Sequence, residues 1–477
     1  TGQREPVTAD QRRIVIAVCV VYFLSLLMIG GLAFLITPMA DDLNLENGTV
    51  QYILAIPSVV ALVVVFSAGQ IASRFGSRRT IVFAGLGFSV GSLIMCAAPG
   101  SLMVQFGLGI CAATAMTMQI VGVSLLQKAT VKGEAQVSAF TTFGMVAPLA
   151  FLTIPLATSR ILTITNWRLV PLAWVIGGIV IAIVAHRRLD PRSETLPVGE
   201  WVTPLLAGVA VAGGARAIAQ LGNAEETPQL ILTSVLVAVL AGTACALIVR
   251  RRQSASFSTS AIRGPMMRPM MLGVTLVTFV QLLTYVIIAL QFIYEFSAVS
   301  AAVATIPAQL AGILGAKFLA KKAIKRWGSF NASRGLLLAI AVTMLPLLAL
   351  TDSTPAWLLV AIATAFCFTT TAALTSFNTD VMRRSPDGAT EEVSSFRAAS
   401  SSVGAAICAG VFGIVILSRT PIAAGAAAIT AAESADMLNG LRLAGVISAC
   451  VAVAGAAMLT FMQRRATPES TSIARTA

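Results

Sequence analysis

The chain has 477 residues, 57% of them hydrophobic and only 11% charged, and its mean hydropathy is +0.87. A soluble protein carries roughly a quarter charged residues, so the composition excludes an ordinary soluble globular fold. The formal charge of +13 does not imply nucleic acid, because the cations gather in loops on one side of the apolar runs, as the positive-inside rule requires.

Runs of about 20 apolar residues recur along the chain, each enough to cross ~30 Å of hydrocarbon. Backbone polar groups in lipid must be satisfied within the segment, which predicts helices; the alternating ten-residue segments of a membrane barrel are absent. The polar stretch before Ile14 leads into a run too long for a signal-peptide core, which is read as a permanent first span. In order, the expected spans are 14–38, 50–72, 80–98, 102–127, 136–158, 168–186, 201–221, 229–249, 270–294, 299–319, 332–350, 356–379, 393–417 and 438–462. Fourteen spans place both ends of the chain on one side. The basic loops 73–79, 128–134, 187–192, 250–268, 320–334 and 382–384 mark that side as cytoplasmic. Of the 33 Lys and Arg, Arg160, Arg168, Arg419 and Arg442 fall outside, and Arg216 falls within span seven, near enough to its outer end to snorkel.

The stretch Gly69-Gln-Ile-Ala-Ser73-Arg74-Phe-Gly76-Ser-Arg78-Arg79 reads as a short basic loop that sets spans two and three antiparallel, side by side. A second glycine-bracketed basic stretch, Gly315–Gly328, follows span ten. Matching features in two six-span units point to duplicated halves. The expected organisation is a first six-helix bundle over 1–192, two inserted spans over 193–252 and a cytoplasmic linker over 253–269. A second bundle follows over 270–465, then a disordered tail over 466–477.

Seven cysteines lie inside apolar runs without a CxxC pair and read as small core residues. The single histidine, His186, has no partners for a metal. Gly85-Leu-Gly87 and Gly107-Leu-Gly109 lie within helices and serve close packing rather than phosphate binding. No nucleophile–base set appears, so neither enzyme activity nor a cofactor or metal is expected.

Six spans, two inserted spans and six more resemble the 14-span multidrug exporters of the major facilitator superfamily. The Gly69–Arg79 stretch is similar to the superfamily's loop motif, with Ser73 where the motif has an acid. Pro38-Met-Ala-Asp-Asp42-Leu43 is similar to the motif closing span one, Asn166-Trp167-Arg168 to the Ser-Trp-Arg entering span six, and Val393–Gly404 to the stretch opening span thirteen. Gln105 stands where the family has an arginine in span four, Ile29 where it has an aspartate in span one, and Pro155 keeps the proline of the span-five antiport motif without its glycines. The resemblance implies alternating access, a monomer in the plasma membrane, and proton antiport as the driver, although the positions it ties to coupling are changed here.

Intramembrane ions are costly, at least ~2.5–3.5 kcal/mol each, and no acid falls inside a span. Asp41 and Asp42, closing span one, are the proton candidates. For the loop motif, Ser73 is expected to cap a helix, and Glu391 and Glu392 to meet Arg74, Arg78 or Arg79 across the interface. Arg397 is expected near Glu391, Glu392 and Asp380 as an ion-pair cluster, or alone as a cytoplasmic anchor. The resemblance puts a cavity between the halves, for which the candidate lining residues are Gln51, Tyr52, Gln105, Thr114, Thr117, Gln119, Pro155, Thr278, Gln281, Tyr285, Gln309, Thr370 and Asn378. Threonines on membrane helices more often bond their own backbone or a neighbouring helix, and that alternative stands for each. Such a lining is neutral, methionine- and hydroxyl-rich, and suits a hydrophobic or amphipathic small molecule, drugs included, rather than a polycation. The expected function is its export; the alternatives are a facilitator, a non-transporting protein of envelope or lipid assembly, and an uptake carrier.

Overall fold

The computed structural model describes residues 9–45, 47–130, 134–189, 202–220, 228–251, 266–280, 282–351, 353–386, 389–412, 415–416 and 431–473. All regular elements among them are helical. The first half comprises α1 (Ala9–Ser25), α2 (Leu27–Leu43), α3 (Asn47–Phe75), α4 (Ser77–Cys96), α5 (Ser101–Ala129), α6 (Glu134–Gly144), α7 (Val146–Ile164) and α8 (Leu169–Arg188). The insert is α9 (Val202–Ala219) and α10 (Pro228–Arg251). The second half comprises α11 (Met267–Phe279), α12 (Leu283–Phe292), α13 (Ala298–Ala304), α14 (Ile306–Leu314), α15 (Lys321–Met344), α16 (Ala356–Arg383), α17 (Thr390–Phe412) and α18 (Ala431–Ile473). A π-helical stretch, Gly315–Ala320, joins α14 to α15. α18 continues as helix to Ile473, into the stretch expected to be a disordered tail.

Ten described stretches are long and apolar enough to cross a bilayer, among them Val299–Ala349, which Gly328 interrupts at φ 75°. Val202–Ile218 and Met267–Phe279 are apolar but shorter. Val299–Ala349, at 51 residues, covers two of the expected spans. Among the described residues α17 is not in this set, its opening Thr-Glu-Glu-Val-Ser-Ser-Phe-Arg being polar. It packs instead against α3, α5, α9 and α11.

The basic loop after span two is shorter than its sequence suggests. α3 continues through Ser73 and Arg74 to Phe75, and α4 starts at Ser77, so the turn is Gly76 alone, at φ 82° and ψ 142°. That region is essentially closed to side-chain-bearing residues. Nor do α3 and α4 form a close side-by-side pair: α4 packs chiefly on α5 and α8, while α3 packs on α5, α9 and α17. Between lipid-facing helices no hydrophobic drive exists, so close backbone approach holds the bundle. A Cβ added at Gly85 would lie 2.8 Å from the Gly178 carbonyl oxygen, and one at Gly107 2.6 Å from that of Gly91. Both Gly-Leu-Gly stretches thus serve helix contact.

One core gathers Met28, Leu35, Phe88, Leu108 and Trp174 of the first half. The other is built on Phe377, Phe412 and Leu441 of the second half, and it takes in Val18, Val123, Leu126, Phe140 and Phe143 from the first. The halves are therefore packed together at the end that carries the C-terminus of α5 and the turn at Gly328. α9 lies along the seam rather than apart from it, touching α3 of one half and α17 of the other.

Candidate transport site and gate

At the basic-loop end, α17 crosses α3 at Gly69. A Cβ there would meet Ser395 Oγ at 2.7 Å and the Glu391 carbonyl oxygen at 3.0 Å, so only glycine admits this approach without displacement. Glu391 is buried and forms an ion pair with Lys128 at the end of α5. One turn on, Ser394 Oγ donates to the Ile120 carbonyl at 2.9 Å. A second ion pair between halves joins Lys325 Nζ to Glu134 Oε1 at 2.8 Å. Val137, Ala323, Ile324 and Ala332 pack beside it. Burial, and secondarily the charge of Glu391, push the Glu392 carboxyl above the usual range.

These contacts revise the expected latch. Ser73 caps no helix: its hydroxyl donates to the Gln70 carbonyl at 2.9 Å within α3 rather than reaching the start of α17. Arg74 is exposed over the Phe75 ring, and Arg78 contacts the His186 ring at 3.1 Å. Arg79 is exposed. Glu391 pairs with Lys128 in place of these arginines. The expected cluster around Arg397 is also divided. Asp380 accepts from Ser329 Oγ and from Arg384 Nε, the latter at 2.8 Å, while Arg397 Nη1 donates to Asn378 Oδ1 at 3.2 Å.

At the opposite end two separate sequence motifs meet. Asp42 Oδ2 accepts from Trp167 Nε1 at 3.0 Å and pairs with Arg168 Nη1 at 2.5 Å, and Arg168 Nη2 donates to the Ala98 carbonyl at 3.2 Å. The Trp167 and Arg168 hydrogen bonds hold the Asp42 carboxyl below its ordinary value of 3.8. Asp41 is exposed beside it. Asn44, left-handed at φ 49°, ends α2 with its N–H on the Ala40 carbonyl.

The remaining candidates are dispersed. Thr114 donates to the Ile110 carbonyl at 2.8 Å, and its methyl group faces Gly87 of α4. Thr117 donates to the Ala113 carbonyl, and Thr278, buried, to that of Val274 while lying against Gly404 of α17. Tyr285 is buried edge-on to Phe412, with centroids 5.9 Å apart. Gln309 and Thr370 are buried, the Thr370 hydroxyl without a hydrogen-bond partner. Gln105, one turn into α5, and Gln119 and Pro155 are half-buried. Gln281 and the side chains of Gln51 and Tyr52 lie outside the described residues. A cavity of about 710 Å³ opens on the flank of the second half between α14, α15 and α16, lined by Pro307, Thr343, Trp357, Thr364 and Phe368. None of the candidates lines it. Lys128, Glu134 and Lys325 were not singled out from sequence. Lys128 and Lys325 stood in the basic loops, but nothing local reveals that each faces an acid more than a hundred residues away.

Two helical halves, an inserted helix α9 lying on their seam, and ion pairs between the halves at one end define a membrane carrier. The Major Facilitator Superfamily profile matches residues 18–409, and the chain belongs to that family. No curated protein sequence matches it. Among solved structures it is similar to the human organic anion transporter MFSD10 (TETRAN), at 13% identity and TM-score 0.66, over 95% of this chain and 100% of that one. It is similar to the proton:xylose symporter XylE bound to 6-bromo-6-deoxy-D-glucose, at 13% identity and TM-score 0.61, over 95% and 96%. It is also similar to a bacterial homologue of the iron transporter ferroportin in an outward-facing state, at 8% identity and TM-score 0.59, over 94% and 99%. Identities this low carry the fold, and the three cargoes differ.

Proposed function

We propose that this transporter exports a hydrophobic or amphipathic small molecule, drugs among them, by alternating access across the plasma membrane, with proton influx as the driver. In this reading the chain is a monomer with fourteen crossings: bundles over 1–192 and 270–465, two inserted crossings over 193–252 and both ends on the cytoplasmic side. The observation that carries the reading is the pair of breakable ion contacts between the halves, Glu391–Lys128 and Glu134–Lys325, at the basic-loop end. Parting them would open that end to the cytoplasm, and closing them commits the cargo outward. The scarcity of acids within the spans favours a neutral or amphipathic cargo over a polycation.

Efflux of the neutral dye Nile red from cells tests this directly. Cells making the chain should lose dye faster, and an uncoupler should abolish the difference; equal retention with and without the chain would end the export reading. A facilitator is the second reading, and the clamp on Asp42 favours it. A carboxyl held below 3.8 by Trp167 and Arg168 exchanges few protons near neutral pH. Uphill dye movement in proteoliposomes under an imposed pH gradient separates the two.

A further inference from the structure

Among the described residues, Arg397 is the buried cation, and the gate does not use it. Arg397 lies seven residues into α17, about 10 Å at 1.5 Å per residue, and is only 9% exposed. Its Nη1 is bound by Asn378, its Nε has no hydrogen-bond partner, and among the described residues no carboxylate pairs with it. The buried acids nearby are committed elsewhere, Glu391 to Lys128 and Asp380 to Ser329 and Arg384.

A cytoplasmic anchor would sit in the first turn, where its head reaches water. Two turns in, a guanidinium with five donors and one acceptor is under-satisfied, and a buried cation without a counter-charge is costly. The deficit is met when an anion arrives, and the planar fork suits a carboxylate or sulfonate in particular. Asn378 and Arg397 belong to the second half, and the residues that follow Arg397, Ala398 and Ala399, pack with Val65, Met116 and Ile120 of the first, so the pair lies at the seam that alternating access opens. Phe396, against Phe66 at 5.2 Å, supplies apolar surface beside it.

We propose that Arg397, with Asn378, binds the anionic head of an amphipathic substrate, a carboxylate or sulfonate on a hydrophobic body. The proposal rests on the export reading and sharpens it. A negative cargo leaving a negative-inside cell moves downhill, by roughly fifty-fold per 100 mV. Interior carboxylates are then not required for the driving step.

The test uses the purified full chain in detergent, in chloride-free gluconate buffer, with three probes of one shape: 2-naphthalenesulfonate, neutral 2-naphthalenesulfonamide and cationic 2-naphthylmethylammonium. Calorimetric Tm and titration should show stabilisation by the sulfonate alone. Arg397→Gln should bind it about tenfold to a hundredfold more weakly, the effect of losing a charged hydrogen-bond partner, and Arg397→Lys, which keeps the charge but not the fork, should fall between the two. The Lys variant, with size-exclusion profiles of both, separates loss of charge from loss of fold. Three results overturn the proposal: undiminished sulfonate binding in Arg397→Gln, equal stabilisation by the sulfonamide, or no stabilisation by any probe. Chloride matching the sulfonate also overturns it, since the site is then one for an inorganic ion. Nile red efflux keeps the two readings apart. Dye export without sulfonate binding leaves export standing and removes the anion site, whereas sulfonate binding without dye export does the reverse.

Discussion

The turn after α3 and the turn inside α15 are the same backbone device put to two uses. Gly76 has φ 82° and ψ 142°, Gly328 has φ 75° and ψ 159°, and they are the two glycines with positive φ among the described residues. What surrounds them differs. Seven residues before Gly76, Gly69 lies against Glu391 and Ser395 of α17, across the seam. Thirteen residues before Gly328, Gly315 lies against the Phe368 carbonyl of α16, within its own half. The π-helical stretch Gly315–Ala320 intervenes only in the second case. Just after the turn, Ser329 is tied to Asp380 of its own half. Gly69 thus reaches across the seam, whereas Gly315 and Ser329 brace their own bundle, and the second turn meets the other half through the Lys325–Glu134 pair and the packing of Ala323, Ile324 and Ala332 on Val137.

This contrast predicts that substitutions at the paired glycines fail in different ways. Gly315→Val should have the largest effect. Its Cβ would lie 2.1 Å from the Phe368 carbonyl oxygen, a backbone clash that no rotamer relieves. Overpacking of this kind costs about 3 kcal/mol, so the variant should show a Tm several degrees lower and poor recovery as a monodisperse protein. Gly69→Val should leave Tm within a few degrees of wild type and shift the gate instead. Labelling of a cysteine placed at Ser73 should rise several-fold as α3 and α17 part, with dye export falling at least tenfold. If Gly69→Val unfolds the chain while Gly315→Val leaves Tm unchanged, the division of roles is wrong.

A smaller effect is expected at the ion pair above Gly69. The Glu391 side chain is 8% exposed and that of Lys128 45%, so solvent screens the pair from one side. Coupling in a double-mutant cycle of Lys128→Gln and Glu391→Gln should be about 1–2 kcal/mol. The charge reversal Lys128→Glu with Glu391→Lys should restore export lost in either single reversal. Additive losses without rescue would show that the contact does not hold the gate. Asp380→Asn, by contrast, should lower stability by about 1–2 kcal/mol through its hydrogen bonds to Ser329 and Arg384, with labelling at Ser73 unchanged.

These differences bear on what a sequence can disclose. The two turns were legible because basic residues and glycine between apolar runs are local signals. The glycine pairing was legible only in part: Gly76 and Gly328 correspond, whereas Gly69 and Gly315 share a composition and not a neighbour. The Pro38–Leu43 and Asn166–Arg168 motifs were each visible, but their union through Asp42 depends on two helices meeting, which no spacing encodes. Ser73 misled because it stands where the loop motif has its acid, whereas here its hydroxyl bonds the Gln70 carbonyl within α3. Arg397 was read with the acids closest in sequence, yet helical geometry turns it toward Asn378 of α16 while Glu391 faces Lys128 of α5. Thr114 and Thr278 followed the commoner course for membrane hydroxyls and bond their own helices.

The smallest expected effect is a pH dependence confined to the first turn's side of the gate. Glu392 is half-buried in the closed arrangement, and burial, then the charge of Glu391, raise its carboxyl above the ordinary 4.5. Opened to water it returns toward that value. The closed form therefore binds the proton more tightly, and its advantage over the open form grows as pH falls through the raised value. The gain is complete below 4.5 and absent well above the raised value. Labelling at Ser73 should thus decrease modestly, less than threefold, as pH falls from 7.5 toward about 5, and Glu392→Gln should flatten that response. Asp42 has the opposite sign. Its lowered carboxyl stabilises the far end above 3.8 and loses that contribution only as pH falls through the lowered value, so Asp42→Asn should leave the response between pH 7.5 and 5 unchanged. A response that survives Glu392→Gln and vanishes in Asp42→Asn would move the pH-sensitive element to the opposite end of the molecule.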